Sequence, residues 1–130
     1  MDEQTHDNLI TALHGEAFAY ARYRLFAAQA REEGDLDLAE MLEGLAAVEL
    51  NEHFAELAEL AGLVGGDLEN LELALRDENL EVEETYPSFA NQARAAGELA
   101  AAERFDEIRA DELEHARTLE TALERLVVPV

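Results

Sequence analysis

Glutamates and histidines occupy slots where a helix should be apolar. In the first third of the chain Leu9, Leu13, Glu16, Tyr20, Tyr23, Ala27 and Ala30 follow a 4-3-4-3 spacing, so Glu16 sits mid-stripe on one helix face. A second stripe runs Leu38, Leu42, Leu45, Glu49, His53, Leu57 and Leu60, and a third runs Leu71, Leu75, Glu78, Glu81 and on to Phe89. The fourth holds Phe105, Ile108, Glu112, His115, Leu119 and Leu126. Burying a lone carboxylate costs several kcal/mol unless it is paired or bound to a cation. Arg is the only permanent cation in the chain, and the arginines fall mostly off these stripes. Carboxylates from four helices plus imidazoles suit two bridged metal ions, and O/N ligation of this hardness suits iron or manganese.

Four helices must carry these groups. Ala, Leu and Glu, all strong helix formers, make up about half of the 130 residues. The breaks fall at Gly34, at Gly62 to Gly66 and at Gly97, which predicts helices over about 5–33, 36–62, 67–96 and 98–127. Asp35 and Asp67 are the expected N-caps of the second and third. The segment YRLFAAQAREEG from Tyr23 is answered 63 positions later, from Tyr86, by YPSFANQARAAG. The chain therefore reads as a duplicated helical hairpin, 5–62 and 67–127, within a single all-α domain 1–130.

Composition excludes much else. With 31 Asp plus Glu, 9 Arg, no Lys and a formal net charge of −22, the chain has no basic cluster for nucleic acid or an anionic membrane. No Cys means no disulfide, no thiol nucleophile and no iron–sulfur cluster. The N-terminus MDEQTHDNL is acidic where a secretory signal needs cations and an apolar run, so the cytoplasm is the expected compartment. A hydrophobic content of 48% argues against disorder, and the excess of acid over Arg is of the kind met in proteins of salt-loving organisms. His6 and His14 read as surface residues.

The sequence resembles the rubrerythrin branch of the ferritin-like carboxylate bundles, in which two helices give one Glu each and two give Glu-x-x-His. The resemblance covers nearly the whole chain and rests on GEAFAYARYRLFAAQAREEG around Glu16, the GGDLEN turn and ENLEVEETYPSFANQAR. It implies a ferritin-like four-helix bundle with Glu16, Glu49, Glu78, Glu81, Glu112 and His115 as ligands of two iron ions per site, manganese being the alternative. Tyr23 and Tyr86 look like the family's tyrosines beside the site and are its expected catalytic side chains. The implied activity is reduction of hydrogen peroxide, or reaction with O2. Without Cys the electrons are expected from an external donor such as a rubredoxin-like protein. Ferritin-like iron oxidation, manganese catalase-like dismutation and a purely structural bundle are the competing readings.

Two features depart from the family pattern. The first hairpin reads ELNEH where the second reads ELEH, one residue more, best placed at Asn51. On a regular helix that rotates His53 by about 100° and brings Glu52 into its slot, whereas a single-turn π-bulge returns His53 to the site; His53 is the expected ligand, with Glu52 as its rival. The second departure is residues 62–66, too few for a crossover along a whole helix, which needs roughly 12 extended residues. Either the bundle is up-down-up-down, or two chains exchange hairpins in a homodimer; the exchanged dimer is the expectation. Pro87, inside the third helix, should kink it and widen it around Glu78 and Glu81, since Glu78 lies eight residues before Tyr86 where Glu16 lies seven before Tyr23.

Overall fold

A computed structural model describes residues 1–128, and among them every regular element is helical. The chain divides between Val64 and Gly65 into two compact units, each one helical hairpin.

In the first hairpin, α1 (Glu3–Glu32) starts at Asp2, whose carboxylate accepts from the Thr5 N–H at 2.7 Å. It ends at Gly34, whose φ of 82° is the left-handed conformation that glycine adopts without steric cost. Asp35 then caps the next helix by accepting from the Leu38 N–H, as expected. That helix is continuous but not uniform. It runs as α2 (Leu36–Val48), a wider π-helical segment Glu49–Phe54, and α3 (Ala55–Ala61), closed by Gly62 at φ 63°.

The second hairpin has the same parts in a different order. Its first helix is α4 (Asp67–Leu80), a π segment Glu81–Thr85 and α5 (Tyr86–Ala95); after Gly97, at φ 76°, comes the uninterrupted α6 (Leu99–Val127). The expected cap at Asp67 is corrected: Gly66 is the N-cap and Asp67 the first helical residue. Here the side chain of Glu69 supplies the cap, its Oε2 accepting from the Gly66 N–H at 3.3 Å, so no Asp is needed at the boundary.

The duplication is visible in the packing. Ala27 and Ala39 are buried in the first hairpin, and Ala90 and Ala102, 63 positions on, in the second. Small side chains there let the paired helices approach closely beside the turn. Across each turn one arginine reaches the facing helix: Arg31 holds Glu43 in a two-pronged pair at 2.7 and 2.8 Å, and Arg94 holds Asp106 at 2.7 Å. Both pairs are solvent-exposed, where ion pairs add little to stability, so they fix register more than they stabilise. Away from the turn the second hairpin packs Tyr86, Phe89 and Phe105 with ring centroids 5.6 to 6.1 Å apart. No large side chain is fully buried among the described residues, while Phe18, Leu25, Leu36, Leu60, Val64 and Leu99 are more than half exposed. No helix among them is long and apolar enough to cross a membrane.

Candidate metal centre

Each hairpin gathers two glutamates and one histidine. In the first, Glu16 from α1 and Glu49 and His53 from the π segment bring one ligand atom apiece within 4.8 Å of one another. His53 Nδ1 lies 3.2 Å from Glu49 Oε1 and 3.4 Å from Glu16 Oε2. In the second, Glu78 from α4 and Glu112 and His115 from α6 do the same, with His115 Nδ1 3.6 Å from Glu112 Oε2 and 3.8 Å from Glu78 Oε1. The two groups are built alike, His Nδ1 facing both carboxylates.

The π segments explain how unequal spacings give equal groups. Glu49 and Glu112 are 63 positions apart, as the repeat demands, whereas His53 and His115 are 62 apart, and so are Glu16 and Glu78. Each hairpin therefore contains one extra residue, on opposite helices. In the first it falls between Glu49 and His53, and the helix absorbs it in Glu49–Phe54. In the second it falls between Glu78 and Tyr86, and is absorbed in Glu81–Thr85. A π turn takes in one residue without rotating the helix beyond it, so the apolar stripe downstream keeps its phase. Glu52, exposed, stands outside the group.

The remaining expected residues surround rather than join the groups. Glu81 is half-buried at the start of the second π segment, outside the Glu78–Glu112–His115 cluster. Tyr23 and Tyr86 are half-buried, and among the described residues neither hydroxyl is hydrogen-bonded to a ligand carboxylate. The ring of Tyr86 is held by Phe89 and Phe105. His6 and His14 are exposed, as expected.

The electrostatics are those of a site short of positive charge. Glu49 is held above the ordinary carboxylate value, first by the hydrogen bond it shares with the Glu16 carboxyl when one of the two is protonated, then by burial and by the Glu16 charge. For His53 the largest influence is burial, which works against its charge; hydrogen bonding and charge from Glu16 and Glu49 outweigh it and leave the imidazole more basic than usual. Most telling are Glu16 Oε2 and Glu78 Oε2: both are buried and neither accepts a well-formed hydrogen bond, the first having only the His53 ring nitrogen nearby at 3.4 Å while in the second hairpin the histidine lies nearer the other oxygen, Glu78 Oε1. An orphaned carboxylate oxygen is costly, and finding it at both repeat-related positions, each beside a second Glu and a His, fits a set of donors arranged for a cation.

A family model described as Rubrerythrin matches residues 7–123. The chain belongs to the rubrerythrin family. It is similar to a rubrerythrin of Porphyromonas gingivalis, 35% identical over 127 residues that cover 88% of this chain and 63% of that one. It is also similar to an uncharacterized protein of Methanocaldococcus jannaschii, 36% identical over 112 residues (85% of this chain, 78% of that one), and to a nigerythrin of Nitratidesulfovibrio vulgaris, 32% identical over 126 residues (86% and 62%). This rubrerythrin-family chain thus spans less than two thirds of the P. gingivalis rubrerythrin and of the nigerythrin.

Sequence reasoning missed one contact of this rubrerythrin-family site. Arg109 Nε, on α6 one turn before Glu112, donates to the Val82 carbonyl inside the second π segment at 2.7 Å. Its signal was present, since a π turn followed by proline leaves a carbonyl without a backbone donor.

Proposed function

We propose that this chain is a non-haem di-iron oxidoreductase that reduces hydrogen peroxide to water in defence against oxidative stress. The observation that carries the reading is the matched pair of Glu–Glu–His groups, in each of which the first Glu keeps a buried oxygen that accepts no well-formed hydrogen bond. Family membership supports the choice of iron and of peroxide chemistry. Glu16, Glu49, His53, Glu78, Glu112 and His115 are the ligands proposed for two ions, with Glu81 as a further carboxylate beside Glu78. Two ferrous ions bound by these residues would supply the two electrons that, with two protons, reduce one hydrogen peroxide to two waters. The polypeptide contributes position: the helical hairpins fix the carboxylates before any ion arrives, and Glu49 and His53, both more basic than usual in the metal-free chain, give up their protons when an ion binds. Tyr23 and Tyr86 are proposed to steady the bound oxidant from the half-buried flank of the site.

These 130 residues contain no Cys, so the reducing electrons reach the site from a donor outside them, a rubredoxin-like protein being the proposed partner. Reduced, iron-loaded protein is expected to consume hydrogen peroxide in a ratio of one peroxide per two irons oxidised, and then to stop until a reductant is added. Continuous loss of peroxide with release of O2 and no reductant contradicts this and supports the manganese catalase-like reading.

Each hairpin supplies one Glu–Glu–His group, so a complete centre of the family's type draws on both kinds of hairpin. The exposed apolar residues, Leu25, Leu60 and Val64 among them, call for a further layer of protein, and the five residues 62–66 are too few for a crossover. We infer a homodimer in which two chains exchange hairpins. Light scattering is expected to give twice the chain mass of 14.4 kDa; a monomeric mass contradicts the exchange.

A further inference from the structure

We propose that Arg109 is a positioning residue for the metal group of the second hairpin, acting through the carbonyl of Val82. The accounting of backbone donors leads there. In the π segment the Tyr86 N–H bonds to the Glu81 carbonyl, five residues back. The next carbonyl, that of Val82, would in the same register accept from residue 87. That residue is Pro87, which has no N–H. Val82 is buried, with 7% of its surface exposed, so water is a poor substitute and an unmet carbonyl there is costly. Arg109 Nε fills the vacancy at 2.7 Å.

The bond is placed where it governs the ligands. Val82 comes four residues after Glu78, about one turn on the same face, and Arg109 precedes Glu112 by three, about one turn on the opposing helix. One charge-assisted hydrogen bond therefore ties the two helices together a single turn from the Glu78–Glu112–His115 group and keeps the wide turn open. The first hairpin needs no such tie. Its extra residue lies on the other helix, α1 is regular throughout, and the position equivalent to Arg109 is the buried Ala46.

The proposal rests on the metal reading above, and its test separates the two. Binding of Co2+ is followed by visible absorption in the wild type, R109A, P87A and the double variant P87A/R109A. R109A is expected to bind Co2+ about tenfold more weakly, the loss typical of a residue that orients ligands. Removing a positive charge beside a cation site would by itself tighten binding, so weakening reports geometry. P87A restores a backbone N–H for Val82, and in that background the R109A substitution is expected to cost less than about threefold. Wild-type affinity in R109A, or an undiminished loss in the double variant, overturns the proposal while leaving the metal reading in place. A wild type that takes up no Co2+ overturns the metal reading, and this proposal with it.

Discussion

Replacing Glu16 and Glu78 by Ala is expected to abolish metal binding and, in the metal-free protein, to raise stability. The two effects come from one cause. Both side chains hold a buried oxygen that accepts no well-formed hydrogen bond, and both have only about a quarter of their side-chain surface exposed (27% and 22%). Leaving a buried acceptor unmet costs about 1–3 kcal/mol, so removing it should return about 1 kcal/mol per site after the lost packing, about 2 kcal/mol for the pair and a rise of roughly 6 °C in the melting temperature of the metal-free form. The pair between Glu16 and His53 opposes this little, because half of the His53 side chain is exposed. Residues that merely orient ligands cost 10–100-fold in affinity, so loss of a direct ligand should cost at least about a hundredfold. Retained metal, or a metal-free variant less stable than its parent, would contradict the assignment of these carboxylates. Calorimetry with and without iron separates the outcomes.

Metal-free and metal-loaded protein are expected to respond to pH in opposite directions. In the folded metal-free chain Glu49 and His53 are both more basic than their ordinary values of 4.5 and 6.5, so the folded state binds more protons than the unfolded state and stability falls as pH rises. The Glu49 contribution is complete below pH 4.5 and is lost as pH passes its raised value; that of His53 is complete below 6.5 and is lost as pH passes a value above it. The window thus runs from pH 4.5 to somewhat above 6.5. Asp2 and Glu43, both held below their ordinary values by a hydrogen bond from the Thr5 N–H and from Arg31, contribute in the opposite sense, but only below that window. Bound metal reverses the sign, because the ligands must shed their protons to bind it. Melting curves of the metal-free protein should move up in temperature from about pH 8 to about pH 5.5, and those of the loaded protein down. E16A should flatten the metal-free slope, which separates this local effect from relief of the general repulsion of a chain with net charge −22. Parallel slopes in the two forms would refute the coupling between these groups and the metal.

How legible each feature is in the sequence depends on how local it is. The helices can be read because the 4-3 spacing and the glycines at 34, 62 and 97 act over a few residues, and the observed ends fall within two of the expected ones. The first π segment is legible from the comparison of ELNEH with ELEH, and the second from the unequal distances of Glu16 and Glu78 to their tyrosines. Asp67 misleads because a favourable N-cap type stands one residue from the real boundary, where Glu69 does the capping. The Arg109 contact is out of reach for any local rule: its partner is 27 residues away and is a backbone atom, identifiable only once the π register and Pro87 have been combined. The ion pairs Arg31–Glu43 and Arg94–Asp106 stood open to discovery, since the 63-residue repeat sets both partners of one beside both partners of the other.

The proposal that Glu16, Glu49 and His53 of one hairpin and Glu78, Glu112 and His115 of the other are metal ligands is tested most directly by metal analysis of the protein purified from its own host. Two iron ions per chain are expected, lost on substitution of Glu78 or His115. Protein isolated without bound metal, and unable to take up iron when it is offered under anaerobic conditions, would contradict it.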